Sequence, residues 1–280
     1  MQTMKQFYLT EITTKDKLVH EGIYFEPLKK SKKALLWVHG LTGTFYGGAI
    51  LLNAFADACE KEGIGFASFN NRGHDFVAGA RKLDPSHKEG YTHVTMGAGV
   101  ETFEECVHDI DAGISFLKEK GFDEIIVIGH SSGANKVCYY AATQRDPRVA
   151  GIVLAGPLSD RLVPGDYQQK LAENLAAMEK LVAEGKGEEL VNGVMYFPIT
   201  PNRFISLHKA ETIEDIFDYG DPKPKLTYFR SIKKPLMVMF GGADEYADRP
   251  VEEILKVFDK YQQSSKYANA VIPKCLHGFD

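Results

Sequence analysis

Ile125-Ile126-Val127-Ile128-Gly129-His130-Ser131-Ser132-Gly133-Ala134 is the stretch that decides the reading of this chain. A β-branched run of this kind favours a buried parallel strand. It ends in Gly-x-Ser-x-Gly, and the residues that follow, Asn135 to Gln144, lack Gly and Pro and space their apolar members as a helix does. A strand that turns sharply into a helix at a serine is the setting of a nucleophile elbow, where the hydroxyl stands clear of the sheet edge. Gly129 and Gly133 fit the crowding of such a turn, which leaves no room for a Cβ. Ser131 is therefore the candidate nucleophile.

Outward from this point, apolar strands and helices alternate. Gln6 to Glu26 reads as a hairpin broken at Thr14-Lys15-Asp16. Strands are expected at Ala34–Val38, Phe66–Phe69, Ile125–Ile128, Val149–Leu154, Pro235–Phe240 and Ala268–Ile272. Helices are expected at Ala49–Glu62, Glu101–Lys120, after Ser131, and at Pro250–Gln263, the last with proline at its start. This alternation predicts an α/β fold with a mostly parallel sheet covered by helices on both faces. It lapses between Pro157 and Ile232, where a long amphipathic helix spans Gln168–Ala183 and a second helical piece lies near Thr212–Phe217. We read residues 157–232 as a helical cap inserted over the carboxyl end of the sheet, with 1–156 and 233–280 forming the core. Tyr167, Met178, Met195, Tyr196, Phe197 and Phe204 are expected either to line an apolar pocket or, the favoured reading, to form the core of that cap.

A serine hydroxyl needs a base to take its proton and a third group to hold that base in the right tautomer. In a fold of this kind the order along the chain is serine, acid, histidine. Leu236–Phe240 runs into Gly241-Gly242-Ala243-Asp244, and the last strand runs into Cys275-Leu276-His277-Gly278. Asp244 and His277 are thus the candidate orienting carboxylate and general base, with Asp248, Glu245 and Asp160 as competing acids. The developing oxyanion needs aimed N–H groups. The amide of Ser132 and that of Leu41, in His39-Gly40-Leu41-Thr42-Gly43, are the candidates. His39 and the stretch Asn70-Asn71-Arg72-Gly73-His74-Asp75 read as loop-stabilising groups.

Composition narrows the alternatives. The 280 residues suit one large α/β domain or one domain carrying an insertion, and 44% hydrophobic content supports a full core. A formal net charge of −5 argues against nucleic acid or an anionic membrane as an electrostatic partner. The one basic run in the sequence, Lys29-Lys30-Ser31-Lys32-Lys33, falls between strands as a solvated loop. No run is long enough to span a bilayer, and the N-terminus lacks the apolar core of a signal peptide. The 4 cysteines show no Cys-x-x-Cys and read as small core residues in a reducing, cytoplasmic compartment. No metal-ligand spacing, dinucleotide fingerprint or Walker sequence is present, and the chemistry expected of Ser131 needs no cofactor.

With His39-Gly40, Asn71-Arg72-Gly73-His74, Gly129-His130-Ser131-Ser132-Gly133, Gly241-x-x-Asp244 and His277-Gly278 in this order, the chain resembles the α/β-hydrolase superfamily. The helix beginning Glu101-Thr102-Phe103-Glu104-Glu105-Cys106 and the Asp244-Glu245-Tyr246 segment resemble the DUF1749-type branch, which includes fungal siderophore-ester hydrolases. The His-Gly-x-Thr-Gly loop is similar to that of feruloyl-esterase-like enzymes. The resemblance implies an eight-stranded sheet, a cap, and hydrolysis of a small-molecule ester by a serine esterase. Thioesterase and acyltransferase chemistry would use the same parts. A fold relative that binds a ligand without turnover is the alternative from another class.

Overall fold

The computed structural model describes residues 5–29, 31–162 and 167–279. The hairpin β1 (Tyr8–Thr13) and β2 (Leu18–Phe25) opens the chain, followed by β3 (Lys33–Val38), α1 (Ala49–Glu62) and β4 (Gly65–Phe69). A second hairpin, β5 (Ala78–Leu83) and β6 (Tyr91–Met96), precedes α2 (Cys106–Glu119), β7 (Glu124–His130), α3 (Ser132–Gln144) and β8 (Val149–Ala155). Then come α4 (Tyr167–Ala183), α5 (Pro201–His208), α6 (Thr227–Ser231), β9 (Leu236–Gly241), α7 (Val251–Tyr261) and β10 (Tyr267–Ile272).

Among the described residues all ten strands join one sheet, in the order β10-β9-β8-β7-β3-β4-β2-β5-β6, with β1 paired to β2. The block from β10 to β4 is parallel. The strands around β2 are antiparallel. The expected count of eight is therefore corrected to ten, and the hairpin β5–β6 is the addition. Its residues alternate weakly, with Ala80 and Met96 the only buried hydrophobics on its two strands, so backbone pairing of β5 with β6, joined to the sheet at Leu18 and Val19 of β2, rather than side-chain pattern defines it.

Strand β3 shows how one period-2 pattern builds two layers. Ala34, Leu36 and Val38 point into the larger core, shared with α2, α3 and α7. Leu35 and Trp37 point the other way, against Leu52, Phe55 and Ala56 of α1. Helix α1 stops where Gly63 takes a left-handed φ of 68° and donates back to Cys59 and Glu60. Helix α7 buries Val251, Ile254, Leu255 and Phe258, the i, i+3, i+4, i+7 stripe of an amphipathic helix.

Between β8 and β9 no main-sheet strand occurs among the described residues. The helix expected near Thr212–Phe217 is absent, since that segment forms turns. The helix lies earlier, at α5, where Thr200 accepts from the Arg203 amide as N-cap and Pro201 occupies the first turn. Helices α4 and α5 make a separate cluster in which Leu171, Met178, Phe197, Ile199, Phe204 and Leu207 pack on Ala98, with Leu41 at its edge. Farther along, Ile216, Phe217, Tyr219, Leu226, Phe229 and Ile232 pack instead into the main core. The side chain of Tyr167 lies outside the described residues.

Phe258 is the hub of that half of the core: Phe217, Tyr219, Phe229 and Phe240 all place rings within 4.9–6.3 Å of it. Phe258→Ala is expected to cost roughly 3–5 kcal/mol, measured as a shift in the urea midpoint at constant slope.

Candidate functional site

Ser131 sits between β7 and α3 with φ 57° and ψ −130°, a backbone state that side-chain-bearing residues rarely adopt. The turn is held from both sides. The Ser131 amide donates to the Ala155 carbonyl at 2.9 Å, and the Ser131 carbonyl accepts from Ala134 at 2.7 Å. The flanking glycines are required sterically: a Cβ on Gly129 would collide with the Gly133 carbonyl, and one on Gly133 with the Val38 carbonyl. The loop after β3 closes on the serine, since a Cβ on Gly40 would lie 2.8 Å from Ser131 Cβ and 3.3 Å from its Oγ.

His277 follows β10, and its Nδ1 is 2.8 Å from Asp244 Oδ2. Asp244 leaves β9 through Gly241, where the backbone abuts Cys275 and Leu276 so closely that a Cβ would collide with it. The other carboxylate oxygen accepts from the Tyr246 amide at 3.1 Å. The His277 loop is fastened by Glu245, which accepts its backbone N–H at 2.9 Å, and by His130 Nε2, which donates to its carbonyl at 2.8 Å. Burial lowers the His130 pKa to about 4, so this ring is a neutral structural donor. The Tyr246 ring covers His277 edge-on at 5.1 Å.

Gly156 is the meeting point. It follows Ala155, the acceptor for Ser131, and a Cβ here would lie 3.0 Å from His277 Cε1 and 3.8 Å from Asp244 Oδ2. Ser131, His277 and Asp244 therefore come to the same end of β8 from three separate strands. Among the described residues, none of the competing carboxylates hydrogen-bonds the His277 ring. Asp248 accepts from Tyr219 Oη at 3.3 Å and Arg249 Nε at 2.8 Å. Glu245 holds the His277 backbone rather than its ring. Asp160 pairs with Asn135 Nδ2 at 3.2 Å, and its pKa is raised to about 7 by burial and by Glu214.

The amides of Leu41 and Ser132 donate to no acceptor among the described residues. Both flank Ser131, one from the Gly40 loop and one from the first turn of α3, whose leading N–H groups have no partner within the helix. His39 secures the Gly40 loop: Nδ1 donates to the Gly40 carbonyl at 2.9 Å and Nε2 accepts from the Asn71 amide at 3.1 Å. Burial drives its pKa down to about 3, consistent with the neutral ring these two bonds need. Arg72 points away from the site, into Asp109, Glu105 and Asp16.

One set of residues behind the site escaped the sequence reading. Lys136, with a side chain 0% exposed, donates to Glu101 at 2.6 Å and to Asn71 at 2.9 Å. Glu101 also binds Arg203 of α5 at 2.8 Å, and Arg203 pairs with Glu214. Burial works to raise the Glu101 pKa, but Lys136 and Arg203 outweigh it and hold the carboxyl below its ordinary value. Charged residues far apart in sequence carry no signal for such a cluster. Among the described residues, no group of three potential ligands could hold a metal ion, and no helix is long and apolar enough to cross a membrane.

Sheet order, the serine turn and the strand-end positions of Asp244 and His277 define an α/β-hydrolase fold. Residues 90–278 match the model of DUF1749, described as a family of proteins of unknown function, and the chain belongs to that family. No curated protein matches the sequence. Among solved structures, the chain is similar to the siderophore hydrolase EstB of Aspergillus fumigatus, with a TM-score of 0.66 and 15% identity over 99% of this chain and 92% of that one. It is similar to a monoglyceride lipase of Saccharomyces cerevisiae, with a TM-score of 0.63 and 14% identity over 99% and 88% of the two chains. It is also similar to Est1E of Butyrivibrio proteoclasticus, solved with ferulic acid, with a TM-score of 0.61 and 17% identity over 96% and 91%.

Asp160 yields a prediction about stability. Its native pKa is raised toward 7 from an ordinary 3.8, so the native state holds a proton that the unfolded chain gives up. Its contribution is full below the unfolded pKa and lost as pH rises through the native one. The melting temperature of Asp160→Asn relative to the native protein is expected to rise between pH 5 and pH 8, as followed by circular dichroism.

Proposed function

We propose that this protein is a serine hydrolase that cleaves a carboxylic ester of a small molecule through an acyl-enzyme on Ser131. The observation that carries the reading is the convergence of Ser131 and the His277–Asp244 pair on Gly156, beside two amides without acceptors. In this mechanism Asp244 keeps the His277 proton on Nδ1, leaving Nε2 as the base. His277 takes the Ser131 proton as Oγ attacks the ester carbonyl. The Leu41 and Ser132 amides receive the oxyanion, each worth roughly 3–4 kcal/mol in reactions of this type. His277 then returns the proton to the leaving alcohol, and a water activated by the same imidazole releases the acid.

Helices α4 and α5, packed on Ala98 and Leu41, form the roof of the acyl pocket in this reading. Around its mouth stand exposed aromatic rings. Tyr196 reaches Thr42 of the Gly40 loop, with 3.3 Å between hydroxyls, and packs on Phe76 at 5.8 Å. Tyr246 covers His277. Such a rim suits an apolar or aromatic ester, in keeping with ferulic acid bound to the structurally similar Est1E. The free thiols of Cys59, Cys106, Cys138 and Cys275 fit a reducing, cytoplasmic setting.

A fluorophosphonate probe is expected to label the native protein and not Ser131→Ala. Hydrolysis of p-nitrophenyl acetate is expected to fall by roughly 10⁴-fold or more in Ser131→Ala and about 10⁴-fold in Asp244→Asn. Labelling that persists in the serine variant would refute the nucleophile, and an absence of labelling in the native protein would favour a ligand-binding role. A panel of feruloyl, monoacylglycerol and siderophore-type esters is expected to rank apolar and aromatic acyl groups first.

A further inference from the structure

A second concavity lies at the far end of α3 from Ser131. Helix α3 has 13 residues, so the two ends are roughly 20 Å apart. The concavity has a volume of about 560 Å³ and is lined by Ala141, Arg145, Thr227, Arg230, Ser231, Lys233, Lys234 and Gln263. Four of these are cations and none is acidic. None of the four forms an ion pair with a described carboxylate. Asp146, next in sequence to Arg145, is taken by Arg148 and Tyr140.

The ordinary explanation for cations here is the neutralisation of helix ends. Helices α3, α6 and α7 all finish at this cavity, at Gln144, Ser231 and Tyr261. A helix carboxyl end carries roughly half a negative charge. Three of them offset about one and a half of the four positive charges, leaving an excess of roughly two and a half. A phosphate group carries about −1.5 to −2 at neutral pH.

The side chains are also arranged. Arg145 holds φ 48° and ψ 36°, the left-handed state usual for glycine after a helix. The Arg230 guanidinium lies 5.6 Å over the Tyr261 ring, and Lys233 Nζ donates to Gln263 Oε1 at 2.8 Å. Thr227 and Ser231 add hydroxyls beside them.

We propose that this cavity binds a phosphate-bearing small molecule, with Arg145, Arg230, Lys233 and Lys234 as its anion-binding groups. The volume admits a body the size of a sugar or nucleoside attached to the phosphate. The site is independent of the chemistry at Ser131, so it stands or falls separately from the hydrolase reading.

The test uses inorganic pyrophosphate in isothermal titration calorimetry, with the native protein and Arg230→Gln/Lys234→Gln compared at low salt. Unchanged circular dichroism and melting temperature without ligand establish that the variant folds; if it does not, Arg145→Gln alone takes its place. The expected result is saturable binding that weakens at least about tenfold in the variant and declines as salt rises. A parallel arm sediments phosphatidylcholine vesicles containing one-fifth phosphatidylglycerol. Binding to vesicles alone, lost in the variant, assigns the phosphate to a lipid headgroup and upholds the site. Absence of saturable binding in both arms, or binding that the variant retains, overturns the proposal.

Discussion

The buried charge chain of Lys136, Glu101, Arg203 and Glu214 is the constraint on which the site region depends. Removing an ion from water costs several kcal/mol, recovered only if every partner is in place. Lys136 is on α3, Glu101 on the approach to α2, Arg203 on α5, and Glu214 in the turns beyond it. None of these segments can settle alone without stranding a charge. Lys136 also grips Asn71, whose side-chain amide donates to the His39 carbonyl at 3.2 Å. The helix that begins after Ser131 and the Gly40 loop that faces it are thus fixed by the same ammonium group. Arg203 extends the tie to α5 and donates to the Ala98 carbonyl at 3.0 Å. Such a tether leaves α5 little freedom relative to the sheet.

Much of the architecture was legible because local chemistry and tertiary placement agree. The parallel strands announce themselves as apolar runs, because both their faces are covered. The serine turn is written in its two glycines. Asp244 and His277 stand out as candidates because each follows a strand and because the chain order leaves few choices. Where the reading failed, the signal lay in tertiary pairing. Strands β5 and β6 are short of hydrophobic residues and are defined by hydrogen bonding to each other, with only Leu18 and Val19 of β2 joining them to the sheet. Helix α5 lies outside the expected helices although Thr200-Pro201 is a good helix start, because its 8 residues are too few to show a clear apolar period. Gly156 looks ordinary in sequence; its φ of 60° and the approach of His277 show why a side chain is disfavoured there.

The two ends of α3 face different chemical surroundings. Its amino end carries the Ser132 N–H, without an acceptor among the described residues, beside Ser131, an arrangement that suits a negative charge. Its carboxyl end carries Arg145 and meets the basic lining supplied by α6 and the segment that follows it. In the linear sequence these cations are dispersed from Arg145 to Lys234, so a net charge of −5 conceals a strongly positive recess. Total charge describes how a protein behaves at long range, and says little about what a single concavity prefers.

His130 occupies the position that Gly-x-Ser-x-Gly leaves unspecified. Its ring stacks on Trp37 at 5.6 Å, and its Nε2 anchors the backbone of His277. The letter that a consensus treats as free is, in this molecule, committed to architecture. An evolutionary drift at that position would need a matching change in the distant loop it moors, so the two should vary together across descendants of this sequence.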